Sequence, residues 1–256
     1  MSNSRGRVAA LRRFPVKGLS PEPLDSVSVE PGRQIVGDRI YAIENGPSGF
    51  DAENPAKLPK TRFLCLMRNA RLARLRSRFD HEASTLSVEL DGETALSADL
   101  SSADGRADAE RWFTDFMGEE LNGPLKVLPA PGRHTFSDTS KGVLSLINLA
   151  SVSGVEDIVG AAVDPLRFRG NLDFSGFDPW DELDWLDKEV QIGEVRFRVV
   201  QRTVRCAATE VDPQTAARDL PIPKSLMKSL GHADCGVYAE PLTGGTISVG
   251  DEIRVL

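Results

Sequence analysis

Short aliphatic and β-branched runs, each closed by a turn signal, succeed one another along most of the chain and restrict its fold more than any other feature. RVAALRRF, DSVSVE, RIYAIEN, FLCLMRNA, RLARLRSRF, TLSVEL, LKVLP, VLSLINL, RFRGNLDF, EVRFRVVQRTV, VYAE and ISVGDEIRVL all read as strands. The expected fold class is therefore mainly β. Few segments have helical spacing. DAERWFTDFMGEEL places Ala109, Trp112, Phe113, Phe116 and Met117 on one helical face. A second helix is expected from Ser153, whose spacing to Glu156 fits a capping box, with Val155, Ile158, Val159 and Ala162 facing inward. PKSLMKSLG reads as a third, stopped by Gly231. The polar stretch SADLSSADGRADA is expected as a loop before the first helix.

A chain of 256 residues can bury a substantial core in one large domain or two small ones. The turn-rich segment LPAPGRHTFSDTSKG, residues 128 to 142, is the expected seam, dividing a β-rich half at 1–127 from a second at 128–256. No apolar run reaches the roughly 18 residues of a membrane span, so no integral membrane segment is expected. The opening MSNSRGRVAALRRFPVKG has Arg12 and Arg13 where an export signal would be apolar, and a cytoplasmic location is the expectation. Cys65, Cys206 and Cys235 lack CxxC spacing, which suggests neither a disulfide framework nor a four-cysteine zinc site.

The net charge of −7 argues against nucleic acid as a partner. Local charge differs: from Lys57 to Arg78 there are eight Lys or Arg and no Asp or Glu. A solvated sheet face explains most such runs; an anionic ligand or an acidic partner protein is the alternative.

The chain has no phosphate loop of the GxxxxGK[ST] type, no strand-GxGxxG-helix unit, no HExxH and no GxSxG elbow. His81, His134 and His232 are isolated, so a histidine-built metal site is not expected. Cys206 differs by context. It ends a strand, follows Arg202 and Arg205, and precedes Asp212-Pro213, which fits the first two positions of a type I turn. Nearby cations favour the thiolate, the form that acts as nucleophile and soft metal ligand. Strand alternation leaves only the Arg202 side close to it. On these grounds alone, a buried strand cysteine and a metal ligand both remain open. Trp180 and Trp185, flanking DELD, cover either the core edge or a pocket rim.

QRTVRCAATEVDPQT resembles the cysteine segment of the MOSC domain family, the domain at the C-terminus of molybdenum cofactor sulfurases. RRFPVKGL, VGDRIYAIEN, LSLINLAS, RFRGNLDFSG followed by DPWDE, and the closing GTISVGDEIRVL resemble other family segments in the same order. The layout is similar to two-part members such as the mitochondrial amidoxime-reducing component and its bacterial relatives.

The resemblance implies a β-barrel MOSC fold with a few short helices, a β-rich N-terminal half packed against it, and a cleft for the molybdenum cofactor, molybdopterin. It implies that Cys206 is catalytic and binds molybdenum, and that Lys17, Arg39, Asn148, Ser151, Arg169 and Asn171 bind the cofactor. Such a ligand needs cations for its phosphate, amide-type groups for the pterin edge and a soft donor for the metal. Gly18 and Gly170 depart from the family's serine and proline, with Gly18 lacking a hydroxyl donor.

The implied function is reduction of a small N-hydroxylated substrate by oxygen-atom transfer. The alternative is a carrier of the cofactor, or a sulfur-transfer module holding a persulfide on Cys206. No C-x4-C-x2-C run occurs, so the expected electron donor is a separate protein of iron-sulfur, flavin or cytochrome type. The chain has no room for the pyridoxal-phosphate domain of the full sulfurases, and no pyridoxal phosphate is expected.

Overall fold

The computed structural model describes residues 5–139 and 142–256. The strands are β1 (Arg5–Arg13), β2 (Glu22–Leu24), β3 (Ser26–Val29), β4 (Tyr41–Asn45), β5 (Arg76–Asp80), β6 (Thr85–Leu90), β7 (Glu93–Asp99), β8 (Leu125–Pro129), β9 (Leu144–Asn148), β10 (Leu172–Ser175), β11 (Glu189–Ile192), β12 (Val195–Val204), β13 (Asp234–Pro241), β14 (Gly245–Ser248) and β15 (Glu252–Val255). Among the described residues the helices are α1 (Ala103–Met117), α2 (Leu149–Val159) and α3 (Ile222–Leu230).

The expected mainly β class and barrel are present. Seven strands close in the order β1-β10-β9-β13-β12-β11-β15 and back to β1, with β2 added beside β1. The β9–β10 pair is parallel and its barrel neighbours are antiparallel. Strand β12 shows why the barrel forms: Val195, Phe197 and Val199 are buried while Arg196 and Arg198 are exposed, so one face joins the core with Phe174, Leu146 and Ile253. Closure leaves no free edge along these seven strands. Strands β1 and β3, from the first thirty residues, pair with β15 and β14 of the second half.

The rest of the first half carries its own core. Strands β5, β6 and β7 form an antiparallel sheet, and α1 packs on it through Ala109, Phe113 and Met117 against Phe79, Leu86 and Val88. Strand β4 pairs with β8 beside them.

Several local expectations are corrected. FLCLMRNA is not a strand: only Phe63 bridges Glu44, and residues 65–69 form a turn in which the Asn69 Oδ1 accepts from the Cys65 amide at 3.2 Å. RLARLRSRF is a 3-10 turn over Ala70–Arg74 before β5 begins, and RFRGNLDF likewise starts as a turn, with strand only from Leu172. The polar stretch before α1 is half strand and half helix, because Ser102 caps the helix by accepting from the Gly105 amide at 3.0 Å. Helix α2 is capped by Asn148 and not Ser153; it stops at Gly160 in the left-handed conformation, which leaves Ala162 exposed. β2, β7 and β11 are further strands; Leu96 and Ala98 of β7 face α1. Gly250 makes a tight turn at φ +93°, and because β14 and β15 pair with different strands it is a corner between sheets. The expected seam begins inside β8, and residues 140 and 141 of it lie outside the described residues.

Gly105 shows tertiary packing overriding helix propensity. A Cβ there would stand 2.0 Å from the Asp99 carbonyl oxygen, since β7 and α1 touch backbone to backbone. Gly105→Ala, worth about 1 kcal/mol of stabilisation in an open helix, is expected to destabilise by about 1–3 kcal/mol through overpacking. Urea unfolding of the two proteins reads the sign directly.

Candidate functional site

A cleft of about 260 Å³ opens between the two halves, walled by the segments around Lys17, Lys60 and Asp138 on one side and by residues 167–171 and the end of β12 on the other. Its charge is one-sided: among the described residues Lys17, Arg39, Lys60, Arg167, Arg169 and Arg205 line it, against the single carboxylate of Asp138. A cleft with this excess of cations favours an anionic ligand.

The end of β12 supplies one wall. Its pairing with β13 shifts register between Val199 and Gln201 and again between Arg202 and Val204. These irregularities break the alternation, so Thr203, Val204, Arg205 and Cys206 all line the cleft in succession. Arg205 is buried and locked, donating to the Phe168 carbonyl at 3.0 Å and to the Cys235 carbonyl. Cys206 follows, partly buried, and begins a short 3-10 turn without using its side chain as a cap. The cation beside its Sγ is Lys60, at 3.3 Å. The expected neighbour, Arg202, instead donates to the Leu183 carbonyl at 2.8 Å. The signal for Lys60 was the acid-free basic run in the sequence, with no indication of which member reaches the thiol.

Lys17, Arg39 and Arg169 are brought together as expected. The Lys17 amide bonds the Tyr41 carbonyl at 2.8 Å, fixing the backbone at the parallel bridge between Val16 and Tyr41. Its Nζ donates to the Phe136 carbonyl at 2.8 Å and to Asp138 at 2.6 Å. Burial pushes the Lys17 ammonium below its ordinary pKa, against the pull of Asp138. Burial also opposes the Asp138 charge, yet Lys17 and then Lys60, 3.5 Å away, hold its carboxyl well below the usual range. For Lys60, burial is outweighed by Asp138 and Cys206, which raise its pKa.

The Arg39 and Arg169 guanidiniums both lie over the Phe14 ring, 4.7 Å and 4.2 Å from its centre. Arg39 is ion-paired with the fully buried Asp38, which outweighs the burial cost and raises its pKa. Arg169 donates to the Leu19 carbonyl at 2.9 Å and has no such partner among the described residues. Burial, then the Arg39 charge, push its pKa down to about 9.

The three amide and hydroxyl candidates divide. Asn171 lines the cleft, but its side chain is spent on the fold: it donates to the Arg12 carbonyl at 3.2 Å and to Asp38 at 3.4 Å, and accepts from the Ser145 amide at 3.2 Å. Asn148 and Ser151 do not join it, which corrects their expected place. Both bond the buried Glu182 carboxylate, Asn148 at 3.1 Å and Ser151 at 2.7 Å. Trp180 and Trp185 also lie away from the cleft, Trp185 in the barrel core and Trp180 over Gly154. His134 packs on Phe50 and Phe136, and burial lowers its pKa.

Two buried side-chain atoms among the described residues have no hydrogen-bond partner, Arg167 Nε and Thr203 Oγ1, and both residues line the cleft. An unpaired buried polar atom costs about 1–3 kcal/mol, so a polar ligand that reached either one would make a bond that the fold leaves unmade. Neither was singled out in the sequence, where each reads as an ordinary strand or turn residue. No group of three or more His, Cys, Asp or Glu that could hold a metal occurs among the described residues. A metal in this cleft would need donors that it brings with it.

Comparison with known proteins agrees with the sequence motifs. The profile of the MOSC N-terminal beta barrel domain matches residues 5–120, and that of the MOSC domain matches residues 131–254. The chain belongs to the MOSC family. Among curated proteins, this MOSC protein is 32% identical to the human mitochondrial amidoxime-reducing component 1 over 133 residues, 47% of this chain and 38% of that one. It is 25% identical to the Macaca fascicularis mitochondrial amidoxime reducing component 2 over 182 residues, 60% of this chain and 53% of that one. The matched stretches thus span about half or less of those relatives. Among solved structures, the YUAD protein from Bacillus subtilis aligns over 98% of this chain and 95% of its own, with 11% identity and a TM-score of 0.46.

Gly18, where the family resemblance implies serine, now has a structural cause. Its φ is +87°, and a Cβ would lie 2.7 Å from the Leu64 carbonyl oxygen. Gly18→Ser is therefore expected to cost about 1–3 kcal/mol in backbone strain, without adding a usable donor to the cleft. A fall in thermal midpoint with no gain in bound ligand checks this. Gly170 is similarly constrained, since a side chain there would strike Ile147 Cγ1 at 2.4 Å.

Proposed function

We propose that this protein binds a molybdenum-pterin cofactor in the cleft and reduces small N-hydroxylated compounds, with Cys206 as the protein's ligand to the metal. One observation carries the reading: a cleft with six basic side chains, two orphaned buried polar atoms and a lysine-paired thiol in the same walls. A phosphate suits Lys17, Arg39 and Arg169. Arg167 Nε and Thr203 Oγ1 suit the polar edge of a pterin, and Cys206 suits a soft metal. When bound in its reduced form, the cofactor would supply the two electrons that cleave the N–O bond and would take up its oxygen.

The chain's own groups bind and orient. Lys60 places a positive charge 3.3 Å from the Cys206 sulfur. The ion pairs of Asp138 hold Lys17 and Lys60 on one side of the cleft. Net reduction of a hydroxylamine consumes two electrons and two protons and yields amine and water, so a separate electron-donor protein is part of the proposal. Lys57, Arg62 and Arg68 are exposed next to the cleft-lining Lys60 and Met67, and their side chains make no ion pair or hydrogen bond among the described residues. That surface favours an acidic face on the donor.

The test is protein expressed in a host that makes the cofactor. Molybdenum content with pterin fluorescence should show loading, and reduced viologen should drive conversion of a simple amidoxime to its amidine. Lys17→Ala is expected to lose most of the bound cofactor while leaving turnover per molybdenum nearly unchanged, because its role is anchoring. Loaded protein that turns nothing over, yet accumulates cyanide-releasable sulfur on Cys206, would replace this reading with the carrier.

A further inference from the structure

A second cavity of about 270 Å³ lies at the same junction, on the other side of Arg167 and Arg169. It shares Gly18, Leu66, Arg167 and Arg169 with the cleft, but not Cys206, Lys17 or Lys60. Its walls come from both halves: Leu66, Leu72 and Leu75 from the first, Leu166, Val211 and Pro213 from the second. A space of this size, near the lower end of small-molecule pockets, matches a body of about two fused rings.

Its polar groups share one sign. Arg76, Arg167 and Arg169 line it, and no Asp or Glu does. The hydroxyls present are already engaged: Ser20 Oγ donates to the Leu75 carbonyl at 3.1 Å, and Ser77 Oγ accepts from the Ser20 amide at 3.0 Å. Arg76 is exposed and held in place, with Nη2 on Gln214 Oε1 at 2.9 Å and Nη1 on the Ala73 carbonyl at 2.8 Å. Arg167 is 4% exposed and gives both Nη atoms to Asp212 and Asp219, leaving Nε without a partner. Arg169 has a backbone carbonyl but no carboxylate of its own.

We propose that this cavity is a second ligand site, and that it takes a small monoanion with a flat apolar body, an aromatic carboxylate. Its rings would pack between the leucines of the first half and Val211 and Pro213 of the second. Its carboxylate would meet Arg76 and Arg169, which has no carboxylate partner among the described residues, a geometry that guanidinium groups serve well. A neutral molecule of the same shape would gain the apolar contacts and leave the arginines unanswered. A phosphate without an apolar body would leave the walls bare. Arg169 belongs to both cavities, so the binding test is made on protein without a ligand in the cleft.

The probe is 2-naphthoate, titrated by calorimetry against the intact protein, with 2-naphthalenemethanol as the neutral counterpart. Saturable binding to one site is expected, with the alcohol at least about tenfold weaker, the size of one lost charge-assisted contact. Arg76→Gln, an exposed substitution that spares the core, should weaken naphthoate about tenfold and leave the alcohol unchanged. Lys17→Ala alters only the cleft and should leave naphthoate binding as it was. Non-saturable uptake, equal affinity for the alcohol, or loss of naphthoate binding in Lys17→Ala would each overturn the assignment, the last by placing the probe in the cleft.

Discussion

Cys206→Ser is expected to leave the protein folded and to abolish amidoxime reduction by the molybdenum-loaded form. The Cys206 side chain is partly exposed, caps nothing, and receives one contact, from Lys60. A swap of this size at such a position should cost no more than about 0.5 kcal/mol. The chemistry changes far more, because a serine hydroxyl stays protonated near neutrality and is a hard donor where a soft thiolate is required. Loss of the protein's own ligand should exceed the roughly 10–100-fold penalty for removing an outer partner of a metal site. The other two cysteines are the internal control. Cys235 is fully buried, and burial pushes its thiol up to about 12, which makes it inert. Cys65 lines the cleft, but burial also raises its pKa. Cys65→Ser and Cys235→Ser should therefore lower the thermal midpoint and keep turnover per molybdenum. Thermal midpoint, molybdenum content and rate on the three variants decide the matter; unchanged turnover in Cys206→Ser would remove it as the ligand.

The sequence revealed fold class and chain order better than it revealed contacts. The period-two alternation of EVRFRVVQRTV required a half-buried strand, and β12 is one. FLCLMRNA was misread because its apolar residues are buried from a turn, where Asn69 replaces strand partners for the backbone. In the site, Lys17, Arg39, Arg169 and Cys206 meet as the motifs implied, although they lie up to 189 positions apart in the chain. Strand alternation failed for Cys206 because of the register shifts in β12, which no residue pattern announces. Lys60 and Asp138 were illegible for another reason: their roles depend on a tertiary ion-pair chain that joins loops 78 residues apart. Asn148 and Ser151 show the reverse case. They sit where the family motif puts them in sequence, but their polar groups answer a buried carboxylate and not the cleft.

That carboxylate gives the largest expected effect on stability. Glu182 is fully buried, with Oε2 accepting from Ser151 Oγ at 2.7 Å and Asn148 Nδ2 at 3.1 Å, and Oε1 from the Gly236 amide at 3.1 Å. It joins the start of α2 to β13, across the barrel strand β9. Glu182→Ala would leave the Ser151 hydroxyl and the Gly236 amide without an acceptor, reduce Asn148 Nδ2 to its bond with the Asp178 carbonyl at 2.8 Å, and open a void; the expected cost is about 3–5 kcal/mol, a large share of the roughly 5–15 kcal/mol of an ordinary folded protein. The penalty should depend on pH in a definite direction. Burial raises the Glu182 pKa, and the bonds from Ser151 and Asn148 only partly offset that. A carboxyl raised in the fold contributes its full stabilisation below the unfolded value, 4.5, and loses part of it as pH rises through the folded value. The gap in unfolding free energy between native protein and Glu182→Ala should therefore be wider at pH 4 than at pH 7. Urea titrations at both values measure it. A gap that instead widens toward neutrality would mean that the three donors hold the ionised form more strongly than burial opposes it, and Glu182 would then be a charged anchor for the α2 and β13 backbones.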